Sequence, residues 1–153
     1  HHRSSAASDV YKRQVNIFSE FLSRMIKIDS NRYTCITADH GVVNIEDQNK
    51  YRLKYDESVK IYGDQRAVYI NGEVEKIEKV FKNVPGYFLE KEEIISLLGT
   101  PTNEDIKNFY PEQIFLLDDG NIIFPNHLSA NLKGYHGGIS KTEVSIPLIE
   151  IIN

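Results

Sequence analysis

The 153-residue chain carries 18 Lys+Arg against 22 Asp+Glu, a formal net charge of -4, with 41% hydrophobic and 10% aromatic residues. That apolar content supports one core and excludes a disordered chain, and no apolar run approaches the roughly 20 residues of a membrane span. Basic and acidic residues interleave, which argues against a broad nucleic-acid-binding face; the single cysteine, Cys35, leaves no disulfide framework or cysteine-based zinc site and fits a reducing cytoplasm.

The first stretch, Ser4 to Gln14 (SSAASDVYKRQ), has neither period-2 nor period-3.6 apolar patterning. Read back into codons, it looks like the transposase adaptor of short-read library preparation. Residues 1–14 are therefore expected to be adaptor-derived, the His1-His2 pair to be no metal site, and residues 15–153 to be the C-terminal part of a longer chain. Without Arg3, Lys12, Arg13 and Asp9 the balance becomes 15 basic against 21 acidic residues, net -6.

From Val15, the residues Ile17, Phe18, Phe21, Leu22, Met25 and Ile26 recur at helical spacing, and Asp29-Ser30-Asn31 punctuates the end of a helix. Residues 33–37 (YTCIT) read as a short buried strand, so that helix and strand make half of an α/β repeat. Strands are expected at 51–55, 58–62 and 66–70, a helix at 73–82 and a strand at 87–89. A helix at 90–98 closes on Gly99, and another starts at Thr102. Residues 113–117 (QIFLL) and 121–124 (NIIF) are expected to pair as a hairpin across Asp118-Asp119-Gly120. The apolar run at 144–152 reads as a strand with an edge or bulge at Pro147.

Two stretches carry chemistry. In ITADHG, residues 36–41, a β-rich run ends in Asp39-His40-Gly41, placing a carboxylate and an imidazole at the C-terminal edge of a strand, where open α/β sheets hold their sites. Both side chains reach one point only if the chain leaves strand geometry there, a turn that Gly41 permits. In GYHGGISKTEVSIPLIEI, residues 134–151, His136 stands among Gly134, Gly137 and Gly138, and Ser140-x-x-Glu143 has the spacing of a capping box. Taken singly, the first reads as an ordinary loop and the second as a Gly-rich turn with an exposed imidazole.

Together with GDQRAVYI (residues 63–70) between them, these stretches resemble the C-terminal part of the alkaline phosphatase superfamily. The resemblance is nearest to its type I phosphodiesterase/nucleotide pyrophosphatase branch, in which T-A-D-H-G, G-x-x-R-A and H-G-G-L-S-x-x-E patterns follow in this order. Ile139 for Leu, Thr142-Glu143-Val144 for Glu-Glu-Met and Ile146 for Val are the departures.

The resemblance implies an incomplete α/β domain: the C-terminal part of an alkaline-phosphatase-like three-layer sheet-and-helix domain. It implies two divalent metal ions, zinc or else manganese, with Asp39 and His40 on one ion and His136 on the other. It also implies a Ser or Thr nucleophile, a further Asp and a D-x-x-x-H pair, none of which is matched between Val15 and Ile36. Ser19, Ser23 and Ser30 are poor nucleophile candidates, Arg66 is expected to brace the structure rather than touch phosphate, and His127 is expected in a surface loop. The implied activity is hydrolysis of a small-molecule phosphodiester or nucleotide pyrophosphate, with the 153-residue chain inactive by itself. A PglZ-type, phosphomutase-like or sulfatase-like member of the superfamily and a non-catalytic interaction domain are the alternatives.

Overall fold

The computed structural model describes residues 2–28, 33–124 and 132–152. Its elements in chain order are α1 (His2–Ile28), β1 (Tyr33–Thr37), β2 (Val43–Asn44), a 3-10 turn (Asp47–Asn49), β3 (Lys50–Arg52), β4 (Val59–Gly63), β5 (Ala67–Gly72), α2 (Val74–Phe81), β6 (Gly86–Phe88), α3 (Lys91–Leu98), α4 (Glu104–Phe109), β7 (Gln113–Leu117), β8 (Ile122–Phe124), β9 (Gly134–Tyr135), α5 (Lys141–Val144) and β10 (Leu148–Ile152). They divide into two units: residues up to Ala38 together with those from Pro147 onward, and Asp39–Ile146.

In the first unit the helix expected from Val15 reaches Ile28 but starts at His2, inside the stretch whose patterning predicted no element. Apolar periodicity reports an amphipathic face, not helicity itself, so a helix can extend through a stretch that lacks the pattern, and the patterned Ile17, Phe18 and Phe21 are exposed here. The Asp29-Ser30-Asn31 turn lies outside the described residues. Strand β1 pairs antiparallel with β10, from Tyr33↔Ile152 to Thr37↔Leu148. This two-stranded ribbon corrects the expectation of a buried strand: β1 alternates exposed and half-buried, and Cys35 is exposed. Burial on both faces needs neighbouring layers, which a two-stranded ribbon lacks. The expected strand at 144–152 is shortened, beginning only after Pro147; the Pro147 carbonyl accepts a hydrogen bond from Thr37 Oγ1 at 2.8 Å.

The core of the second unit is a four-stranded antiparallel sheet in the order β4-β5-β7-β6. Alternation sends successive side chains to opposite faces. Val68 and Ile70 of β5 and Phe115 and Leu117 of β7 join Ile77 and Phe81 of α2 on one face. Ile114 and Leu116 pack with Ile94 of α3 on the other, beside Ala67 and Tyr69. Helices on both faces make this a three-layer arrangement, in which a strand such as QIFLL can be continuously apolar. Helix α3 has Glu90 and Glu93 as a capping box and ends at Gly99, whose φ of 76° suits a C-cap.

The hairpin expected at 113–124 does not form. Both strands exist, but β7 has its two edges taken by β5 and β6, while β8 pairs parallel with β3, from Lys50↔Ile122 to Arg52↔Phe124. Asp-Gly punctuation sets a reversal of the chain; edge occupancy decides which strands pair. All three residues of β8 are buried, and Ile122 and Phe124 cluster with Ile45 and Tyr135.

Candidate metal centre

Strand β2 pairs antiparallel with β9 in the register Val43↔Tyr135 and Asn44↔Gly134. That register draws the segment before β2, which holds Asp39 and His40, alongside the residue after β9, His136. The two imidazoles stack, with ring centroids 3.7 Å apart and an interplanar angle of 16°. His40 Nε2 lies 3.6 Å from Asp39 Oδ2, and His40 Nδ1 is 2.7 Å from the Gly41 carbonyl. The chain has left strand geometry here: β1 ends at Thr37, and the Asp39 carboxylate accepts from the His40 N–H at 3.0 Å.

The structure gives Gly41 a different reason from a turn. Its N–H donates to the Glu143 carbonyl at 2.7 Å, and a Cβ at this position would stand 1.8 Å from the Thr142 carbonyl oxygen. Only glycine lets the two motifs approach so closely.

Behind the imidazoles lies a buried ion pair. Arg66 is fully buried and Glu143 is 3% exposed. Arg66 Nε donates to Glu143 Oε1 at 2.6 Å and Nη2 to Oε2 at 2.8 Å, a bidentate pair. Arg66 Nη1 also donates to the Asn121 carbonyl at 2.5 Å. Glu143 further accepts from the Gly138 N–H at 2.9 Å and the Ser140 hydroxyl at 2.5 Å. Burial pushes the Glu143 carboxyl up, but the hydrogen bonds from Arg66, Ser140 and Gly138, with the Arg66 charge, outweigh it and bring it down to about 2. Glu143 is thus more than the capping-box member its spacing predicted, although it fills that role in α5 as well. Arg66 braces, as expected: its guanidinium ties the β4–β5 turn to the loop after His136.

One residue the sequence reading passed over also stands here. Asp64 Oδ2 lies 3.7 Å from His136 Nδ1. Gly137, at φ +100°, makes room for it, since a Cβ there would meet the Asp64 carboxyl carbon at 2.3 Å. The signal was in view as the acidic residue of GDQRAVYI, next to the turn glycine. His127 and Ser30 lie outside the described residues, and Ser23 donates to the Ser19 carbonyl along α1 at 2.8 Å.

Carboxylate and neutral imidazole are zinc-type donors. The 3.6 Å between His40 Nε2 and Asp39 Oδ2 is close to the separation of two ligands bonded to one ion at about 2.0–2.2 Å each. These residues fit such an ion as part of a coordination set. Among the described residues no group of three or more His, Cys, Asp or Glu side chains closes a full one.

The family description "BREX system PglZ alkaline phosphatase-like domain" matches residues 2–151. The chain belongs to this PglZ family of the alkaline phosphatase superfamily. The superfamily is the one that its two histidine motifs resembled, and within it the PglZ domain was the second reading. No curated protein matches the chain. Among solved structures, murine ectonucleotide pyrophosphatase / phosphodiesterase 5 is similar with a TM-score of 0.65 at 20% identity, covering 88% of this chain and 39% of that one. The human protein of the same name gives 0.61 at 16%, covering 86% and 37%. Phosphonoacetate hydrolase from Sinorhizobium meliloti 1021, in complex with phosphonoacetate, gives 0.54 at 15%, covering 78% and 36%. These likenesses show that this PglZ chain has an alkaline-phosphatase-like α/β fold, and that it spans less than two fifths of those chains' length.

Proposed function

We propose that Asp39, His40 and His136 are the C-terminal share of a dinuclear metal site in a hydrolase of small-molecule phosphodiesters or nucleotide pyrophosphates. The observation that carries this is the stacking of His40 on His136 at 3.7 Å, beside Asp39. Near-parallel imidazoles from two separate motifs, with a carboxylate beside them, bring together donors of the kind that suit zinc. Asp39 and His40 would hold one ion and His136 the other.

When bound, the ions would polarise the phosphoryl oxygens and stabilise the attacking and leaving oxygens of an in-line transfer. The contribution of this chain is positioning. The Gly41 carbonyl accepts a hydrogen bond from Nδ1–H of His40, which leaves the Nε2 lone pair on the side of Asp39. The Arg66–Glu143 pair and the Gly41–Glu143 backbone bond hold the loop carrying His136 against the segment carrying His40. The nucleophile and the remaining ligands belong, on this reading, to the part of the fold that this chain does not span. The solved relatives named as a phosphodiesterase and a phosphonate hydrolase support the reaction class.

The test is metal content and substrate preference in full-length protein carrying this sequence. The expected result is bound zinc or manganese and faster hydrolysis of a bis-aryl phosphate than of mono-aryl phosphate or aryl sulfate. Preference for a mono-ester or sulfate would move the protein to another branch of the superfamily. Full-length protein that holds neither metal would overturn the reading.

A further inference from the structure

The two imidazoles of the candidate centre differ in what stands behind their inner nitrogens. On His40 it is the Gly41 carbonyl, 2.7 Å from Nδ1. On His136 it is the Asp64 carboxylate, 3.7 Å from Nδ1. A histidine that holds a metal commonly gives its other ring N–H to a carbonyl or a carboxylate, which sets the tautomer and the ring orientation. His40 has such a partner at hydrogen-bond distance, and His136 has a carboxylate at ion-pair distance.

Asp64 is tied to its own turn. Its Oδ1 accepts from the Gln65 N–H at 2.8 Å, and its own N–H donates to the Ala67 carbonyl at 3.1 Å, so the carboxylate is anchored to the β4–β5 turn with Oδ2 aimed at His136. The same turn carries Arg66, whose buried pair with Glu143 ties it to the loop after His136. The left-handed Gly137 removes the one Cβ that would block the approach. Asp64 and His136 are about half exposed, at 44% and 47%, which leaves both side chains room to close from ion-pair to hydrogen-bond distance.

We propose that Asp64 is a positioning residue: it accepts the Nδ1 proton of His136 and so presents the Nε2 lone pair of that imidazole to a divalent cation. The assignment deepens the proposed metal site and rests on that reading for the identity of the cation. The tautomer itself is independent of metal. Asp64 touches neither substrate nor reacting atoms and acts only through His136.

The experiment uses full-length protein labelled with 15N-histidine, comparing wild type with Asp64→Asn, Asp64→Ala and Asp64→Glu. Long-range 1H–15N spectra of the metal-free protein, at a pH where the imidazoles are neutral, read the His136 tautomer, and calorimetry reads zinc affinity. The expected result is an Nδ1–H tautomer in wild type that is lost in Asp64→Asn and Asp64→Ala and at least partly restored in Asp64→Glu. Zinc affinity should fall roughly 10–100-fold in the first two, with circular dichroism unchanged. A His136 tautomer and zinc affinity in Asp64→Asn equal to those of wild type would overturn the proposal. If wild type binds no zinc while the tautomer still follows Asp64, the positioning role stands and the metal reading falls.

Discussion

Glu143 decides much of the local stability around the candidate centre. Its carboxylate and the Arg66 guanidinium are both buried, so removing one leaves the other charged and desolvated. Glu143→Ala or Arg66→Ala is therefore expected to cost roughly 3–5 kcal/mol in urea denaturation, and the double variant less than the sum of the two. Because Glu143 is held at about 2 in the fold, below its unfolded value of 4.5, its contribution is present in full above the unfolded value and fades as pH falls toward 2. The stability gap between wild type and Glu143→Gln should accordingly shrink between about pH 5 and pH 2. A gap that stays constant over that window would show that the native carboxylate is not the group titrating. Gly41→Ala should be as damaging as loss of the ion pair, since its Cβ would collide with the Thr142 carbonyl, a backbone atom that cannot swing away.

Among elements, the contrast lies between the four-stranded sheet and the β1–β10 ribbon. The sheet is covered by α2 and α3, and Ile114 and Phe115 on β7 are 0% and 3% exposed; truncating either to Ala is expected to cost roughly 2–5 kcal/mol. The ribbon instead shows Tyr33, Leu148, Ile149 and Ile152 to solvent, and α1 shows Val15, Ile17, Phe18 and Phe21. Exposed apolar strands with unpaired edges template association. The 153-residue chain should self-associate in light scattering as concentration rises, and Leu148→Lys with Ile152→Lys should suppress this without lowering the denaturation midpoint of the sheet. Scattering unchanged by the double substitution would place the association elsewhere.

The whole chain matches the PglZ family over residues 2–151 yet spans less than two fifths of the solved structures it resembles. On the proposed reading, which divides three donors between two ions, the 153-residue chain alone should bind zinc more weakly than micromolar and hydrolyse nothing. In full-length protein, His40→Ala and His136→Ala should each abolish hydrolysis and weaken zinc binding beyond the effect of Asp64→Asn. Either variant retaining wild-type affinity would remove that histidine from the ligand set. Among the described residues no helix is long and apolar enough to cross a membrane.

Local patterns were enough to locate the elements that sit in the core. The strands near 51–70 and 113–124, the helices at 73–82 and 90–98 and the Ser140-Glu143 cap follow from period, propensity and capping chemistry, all set by near neighbours. The superfamily was legible because its histidine motifs are short and contiguous. What the chain could not state locally was pairing. That β7 sits between β5 and β6 while β8 goes to β3 depends on which edges are free, and that Cys35 and β1 lie exposed depends on layers that are not neighbours in sequence. The partners of His136 and Glu143, Asp64 and Arg66, meet them only because the β4–β5 turn folds over the Gly137-Gly138 loop, a contact that tertiary packing alone decides.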